Sequence, residues 1–278
     1  MSFDPQALDH AGLARRLMPA ILEAGRIEMR HYDSGVTVET KADNSPVTVA
    51  DREAEAVLVA ALSRIAPATP VIAEEGAAGT QIPDAGRAFF LVDPLDGTRE
   101  FINMRGEFTV NVALVVSEVP VFGIVYAPAL GQLYATLGRN RSAAASVALA
   151  GSGFDDCAFT PIATRVPDAR ALVAVASRSH MTPKGEAWLA RWPIASRRDA
   201  GSSLKFCLIA RGEADVYPRH GPTMEWDTAA GDAVLRAAGG IVTTVAGDPL
   251  PYGKFGDGYR NPHFVAWGTP AALSSEGG

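Results

Sequence analysis

Ala88-Phe-Phe-Leu-Val-Asp-Pro-Leu-Asp-Gly-Thr-Arg-Glu-Phe101 runs from an apolar strand straight into a polar turn. Ala88 to Val92 is unbroken and stops at Asp93. Asp93 and Asp96 then stand three residues apart on a turn shaped by Pro94 and Gly97, so their oxygens can converge on one point. Hard cations such as Mg²⁺ take oxygen ligands in near-octahedral geometry and usually keep waters and substrate phosphate. The Leu95 carbonyl lies between the two carboxylates and offers a neutral oxygen. Gly97 lets a ligand approach closely, and a helix beginning near Thr98 turns free N–H groups toward the same anion. The plainer reading of such a turn is a surface loop in which Asp caps a helix.

Further acids sit at the ends of predicted elements. Leu13, Leu17, Met18, Ile21 and Leu22 recur at helical spacing, so the first thirty residues read as an amphipathic helix. Val36 to Lys41 alternates like a strand, and Asp43-Asn44-Ser45-Pro46 reads as a turn. Thr48 and Asp51 form a capping-box-like pair ahead of Val57, Leu58, Ala61, Leu62 and Ile65, which places Asp51 in the first turn of a second helix. Val71-Ile72-Ala73 is a short strand running into Glu74-Glu75. Asp227, preceded by Trp226, opens an Ala-rich segment. Taken singly, Asp51 and Asp227 read as helix-start acids and Glu74 as half of a solvated charge pair. They become a site only if the fold gathers them.

From Phe108 to Leu137 the chain is rich in Val, Ile, Phe and Tyr and broken at Pro120, Pro128 and Gly131, which predicts an antiparallel meander. Between about Arg139 and Asp168 periodicity fades. Strand and helix then alternate through Ala171–Ala176, Thr182–Arg191, Ser203–Arg211, Asp215–Tyr217, Asp227–Ala238 and Ile241–Val245, as in an α/β unit. The expected division is an α+β part over 1–145 and an α/β part over 146–278. At roughly 150 residues per domain, the 278 residues suggest about two domains, or one large one.

Composition narrows the classes. Lys and Arg number 25 against 31 Asp and Glu, a net charge of −6. With no basic run, the chain lacks the footprint of a nucleic-acid-binding surface. A small anion remains open to it, because placed cations or metal ions hold phosphate locally. Two cysteines, Cys157 and Cys207, are too few for a disulfide framework. Asp4, Asp9 and His10 precede the first apolar positions, unlike a signal peptide. No apolar run approaches the ~18 residues of a transmembrane segment. These features read as a cytoplasmic, water-soluble protein, with oligomeric state and contact with a membrane surface left open.

Phe90-Leu-Val-Asp-Pro-Leu-Asp-Gly-Thr-Arg-Glu-Phe101 and Trp226-Asp-Thr-Ala-Ala-Gly231 resemble the two signature segments of the inositol monophosphatase superfamily. More narrowly, the chain resembles the bacterial 3'(2'),5'-bisphosphate nucleotidases. That likeness rests on Lys41-Ala-Asp-Asn-Ser-Pro-Val-Thr48, Gly106-Glu-Phe-Thr-Val-Asn111, Gly201-Ser-Ser-Leu-Lys-Phe-Cys207, Tyr217-Pro-Arg219 and Gly221-Pro-Thr223. It covers about residues 12–268. Arg99 stands where the family often has Lys, and about 76–87 and 139–156 match no family segment closely.

The resemblance implies a layered α-β-α-β-α sandwich and two or three Mg²⁺ ions. Glu74, Asp93 and the Leu95 carbonyl would hold one ion; Asp93, Asp96 and Asp227 would hold a second. Asp51 and Thr98, with Glu74 close by, would orient the attacking water. The nucleotide would lie against Glu74, Leu95, Asp96, Gly97, Thr98 and Asp227. Ser202, Lys205 and Arg219 would take its second phosphate and ribose, and His180 would lie near the base. The implied reaction is removal of the 3'-phosphate from 3'-phosphoadenosine 5'-phosphate and its 5'-phosphosulfate relative, with inhibition by Li⁺. An inositol monophosphatase is the alternative, against which Arg99-Glu100-Phe101 speaks. A non-catalytic binding module would be expected to have lost a ligand, whereas every acid and Thr98 persist.

Overall fold

The computed structural model describes residues 8–35, 38–40, 46–77, 86–151, 153–177 and 181–269. Helix α1 (His10–Ser34) opens where the Asp9 carboxylate accepts the Gly12 N–H at 2.8 Å. Helix α2 (Val49–Ile65) opens at the capping box: the Thr48 N–H and hydroxyl donate to Asp51 at 2.8 and 2.6 Å. Of the strand and turn expected before it, β1 (Val38–Thr40) pairs with β2 (Pro46–Thr48). Residues 41–45 of that turn lie outside the described residues.

A seven-stranded sheet comes next: β3 (Val71–Ala73), β4 (Ala88–Asp96), β5 (Thr109–Val116), β6 (Val119–Ala127), β7 (Gln132–Gly138), β8 (Arg141–Ser146) and β9 (Thr160–Ile162), in that spatial order. β3 and β4 are parallel; the remaining pairs are antiparallel. The meander is present, but its first turn is Ser117-Glu118, at φ 49° and 66°, and Pro120 lies inside β6. A left-handed pair suits the strand twist of a two-residue hairpin even without glycine.

The strands alternate between two covered faces. Phe90, Val92, Val110, Val112 and Ile124 pack with Leu17, Ile21 and Leu58 of α1 and α2. Phe89, Leu91, Val115 and Val125 face the other way, toward α6 (Leu204–Ala210) and α7 (Ala229–Ala237). That helical layer also meets the second sheet, ordered β11 (Ile194–Ala200), β10 (Leu172–Ser177), β12 (Val216–Arg219), β14 (Phe264–Trp267) and β13 (Ile241–Thr244). Ala174, Val216 and Trp267 on its outer face pack with Leu189 of α5 (Pro183–Leu189). The five layers are helix, sheet, helix, sheet, helix, the α+β order that the sequence resemblance implies.

The second sheet is mixed: β11, β10 and β12 are parallel, and β14 runs antiparallel to β12 and β13. Position 145/146 falls within β8, and the large sheet takes one more strand, β9, from the segment beyond it. The passage between the sheets therefore lies between Ile162 and Leu172. No helix among the described residues is long and apolar enough to cross a membrane.

Candidate active site

Asp93 and Asp96 both reach one cleft across a fault in the β4–β5 ladder. Asp93 pairs with Asn111 and Asp96 with Thr109, so three steps on β4 oppose two on β5. In a regular strand, residues three apart point to opposite faces; one extra residue bends the strand and re-aims the side chains beyond it. The Leu95 N–H in the bulge donates to Asp93 Oδ1 at 3.1 Å, and the Thr98 hydroxyl donates to the Leu95 carbonyl at 3.3 Å. Gly97, at φ 93°, caps the short helix α4 (Thr98–Ile102), so the helix start expected at Thr98 is present.

Other elements deliver the remaining acids. Glu74 opens the short helix α3 (Glu74–Ala77) directly after β3, which is parallel to β4, so both strands end on the same side of the sheet. Asp227 precedes α7, its Oδ2 accepting the Met224 N–H at 2.8 Å. Carboxylate oxygens of Glu74, Asp93 and Asp227 come within 4.8 Å of one another; Asp96 lines the same cleft but is not one of that close group. Burial first, and then the charges of Glu74, Asp96, Asp227 and Asp51, hold the Asp93 carboxyl well above the usual carboxylate range. Asp227 is raised by burial and by Asp96 and Glu74. Asp96 is raised to about 6 by burial, against the pull of Lys205 and of the Ser203 N–H. A cluster of like charges with oxygen donors only suits a hard divalent cation, which removes the repulsion.

One cleft of about 270 Å³ takes in Glu74, Asp93, Leu95, Asp96, Gly97, Thr98, Ser202, Lys205, Arg219 and Asp227. Asp51 is buried beside Asp93, its carboxylate held by Thr48, and is not among the lining residues. His180 lies outside the described residues.

The cationic wall is buried as well. Lys205, on α6, is only 6% exposed; its Nζ lies over the Tyr217 ring at 5.4 Å. Burial pulls its ammonium down to about 8, opposed by Asp96 and reinforced by Arg219. Arg219 ends β12, and its Nη2 donates to the Pro222 carbonyl at 3.0 Å. Its Nε is buried and makes no hydrogen bond among the described residues.

The cleft wall also includes residues that carry no expected role, among them Glu100, Tyr217 and Thr223. Glu100 is buried on α4, and its charge acts on both Asp96 and Lys205. Each lies in a segment that carries the family resemblance; only the fold distinguishes a wall residue from a core one.

The model of the inositol monophosphatase family matches residues 11–267. The 3'(2'),5'-bisphosphate nucleotidase CysQ of Shigella flexneri is 42% identical over 87% of this chain and 94% of its own length. The same-named protein of Escherichia coli K12 is 41% identical over the same shares. The crystal structure of CysQ from Bacteroides thetaiotaomicron superposes with a TM-score of 0.74 at 38% identity, covering 92% of this chain and 97% of that one. Matched motifs, layered fold and convergent acids agree, and the chain belongs to the inositol monophosphatase family.

Proposed function

We infer that this chain is a 3'(2'),5'-bisphosphate nucleotidase. It removes the 3'-phosphate of 3'-phosphoadenosine 5'-phosphate, or of 3'-phosphoadenosine 5'-phosphosulfate, and leaves AMP or adenosine 5'-phosphosulfate. The observation that carries this reading is the placement of two buried cations, Lys205 and Arg219, in the same cleft as the acids. Arg219 helps hold the Lys205 ammonium below its ordinary range, so a second phosphate is the ligand that satisfies both. The identity of 40% or more to nucleotidases named CysQ supports the same substrate class.

Bound by Glu74, Asp93, Asp96, Asp227 and the Leu95 carbonyl, Mg²⁺ supplies charge for the phosphoryl oxygens and lowers the pKa of a water. The chain's own residues then do the positioning. Thr98, on the cleft wall, orients the water toward phosphorus, and Asp51, buried off the cleft, supports it from behind through its charge. Lys205 and Arg219 hold the second phosphate, with Ser202 beside them, and His180 is assigned to the base. No side chain serves as nucleophile, so no phosphoenzyme forms. The two free cysteines, Cys157 and Cys207, are both buried, in keeping with a cytoplasmic setting.

Phosphate release from 3'-phosphoadenosine 5'-phosphate and from inositol 1-phosphate, each with Mg²⁺ or with chelator, tests this. Mg²⁺-dependent release with the nucleotide preferred is expected. Absence of metal-dependent release from the nucleotide overturns the assignment; preference for the inositol ester moves the chain to the other branch.

A further inference from the structure

The two acids that would flank the second ion come from opposite sides of the cleft. Asp96 belongs to the bulge of β4 in the large sheet; Asp227 belongs to the segment leading into α7. No ladder joins these segments, and the two charges repel. Something must therefore set their separation before a cation arrives.

Ser203, at the start of α6, occupies that place. It is 1% exposed. Its hydroxyl donates to the Asp227 carbonyl oxygen at 2.8 Å, and its N–H faces the Asp96 carboxylate closely enough to lower the pKa of that acid. Ser203 thus bonds the Asp227 segment directly and bears on Asp96 only through the field of its N–H.

The turn that presents Ser203 is pinned to the large-sheet side. The Gly201 N–H donates to Glu107 at 3.0 Å, and the Ser202 hydroxyl lies 3.0 Å from that of Thr109. Gly201 has no space for a side chain, since a Cβ there would fall 2.6 Å from the Glu107 carbonyl oxygen. Ser202 holds a φ of 41°, a left-handed conformation that costs a non-glycine residue energy and persists only where its surroundings impose it. Glu107 and Thr109 fix the turn to the large-sheet side. The Ser203 hydroxyl carries that placement across to Asp227.

We propose that Ser203 is a positioning residue whose hydroxyl holds the Asp227 segment at the distance from Asp96 that a bound divalent cation requires. The proposal rests on the metal-dependent reading of the cleft. It assigns to this residue no contact with substrate or reacting atoms. Groups one shell beyond metal ligands commonly change metal affinity by 10–100-fold when removed.

The test compares two buried serines that make the same kind of bond to the α7 region. Ser142, on β8, donates its hydroxyl to the Val234 carbonyl at 2.6 Å and is likewise 1% exposed, but it does not line the cleft. Titration calorimetry with Mg²⁺ alone, thermal melting, and kinetics as a function of Mg²⁺ would be run on the unmodified chain, Ser203→Ala, Ser203→Thr and Ser142→Ala. Both alanine variants are expected to melt lower. Only Ser203→Ala is expected to bind Mg²⁺ about tenfold more weakly and to need proportionately more for half-maximal rate, with kcat at saturating Mg²⁺ within about threefold. Ser203→Thr, which keeps the hydroxyl, is expected to restore the affinity. Equal Mg²⁺ affinity in Ser203→Ala and the unmodified chain, or equal weakening in Ser142→Ala, overturns the proposal and leaves the metal-dependent reading intact. No Mg²⁺ binding or Mg²⁺-dependent rate in the unmodified chain overturns both.

Discussion

The Lys205 ammonium donates to the Ser202 carbonyl oxygen at 2.5 Å, folding the side chain back onto the turn that precedes its own helix. It is thereby held in the cleft beside Arg219. A charge-assisted contact to phosphate is worth about 1.5–3 kcal/mol net, or roughly 10–100-fold in affinity. Lys205→Met is expected to raise KM for 3'-phosphoadenosine 5'-phosphate by that factor, with kcat within about threefold. Adenosine 3'-phosphate, which lacks the second phosphate, should show little change. Steady-state kinetics on both substrates checks the pair.

The crowding of Asp93 by Glu74, Asp96 and Asp227 makes it a liability without a cation and a necessity with one. Asp93→Asn is expected to lower kcat by orders of magnitude. In chelator, its melting temperature should match or exceed that of the unmodified chain, because repulsion is relieved. Addition of Mg²⁺ should stabilise the unmodified chain and leave the variant almost unmoved. Melting curves with and without Mg²⁺, set beside activity, decide this.

Gly201 meets the Glu107 carbonyl oxygen, the Glu107 Cβ and the Glu100 Cγ where a Cβ would go, at 2.6, 2.9 and 3.0 Å. Gly201→Ala is expected to cost about 1–3 kcal/mol of stability. It should also raise KM for the nucleotide, since Ser202 and Lys205 belong to the same turn and the helix it opens. Gly256→Ala, where nothing lies within 4 Å, serves as the neutral comparison. Denaturant melts and kinetics on both variants give the answer.

Glu28 is fully buried in α1, both carboxyl oxygens lack a hydrogen bond among the described residues, and its pKa is raised by burial and then by the Asp51 charge. A carboxyl that resists ionisation when folded binds protons more tightly than the unfolded chain does. Its penalty is smallest below the unfolded value of about 4.3 and grows as pH rises toward the folded value. Glu28→Met is therefore expected to raise the melting temperature more at pH 8 than at pH 5. The difference should reach ~3 °C, the shift that about 1 kcal/mol gives in a chain of this size. Equal gains at the two pH values would contradict it.

Particular residues show what could be read in the sequence. Thr48 and Asp51 announced the start of α2 because a capping box is local chemistry. The turn from Asp93 to Thr98 marks a stretch that lines the cleft, and the bulge within it is not legible, because it depends on pairing with β5. β8, Arg-Ser-Ala-Ala-Ala-Ser, carries none of the β-branched residues that mark a strand; its neighbours β7 and β9 make it one. β11 escaped for a different reason. It is an edge strand whose Arg197 and Arg198 pair with Glu186 and Glu213, so it reads as polar coil. Ser203 and Glu107 were legible as motif members only; their partners are distant in sequence.

The middle layer, α6 and α7, has a consequence for how the molecule fails. α7 approaches the large sheet so closely that a Cβ on Gly123 would fall 2.3 Å from the Ala230 carbonyl oxygen, and one on Gly231 would meet the Phe206 ring at 2.6 Å. The same apolar cluster runs from Phe89 and Leu91 through Val234 to Phe264 of the second sheet. Neither sheet keeps a complete interior when the other is lost. The wall bearing Lys205 and the wall bearing Asp93 therefore melt together, and damage to either sheet takes the catalytic cleft with it.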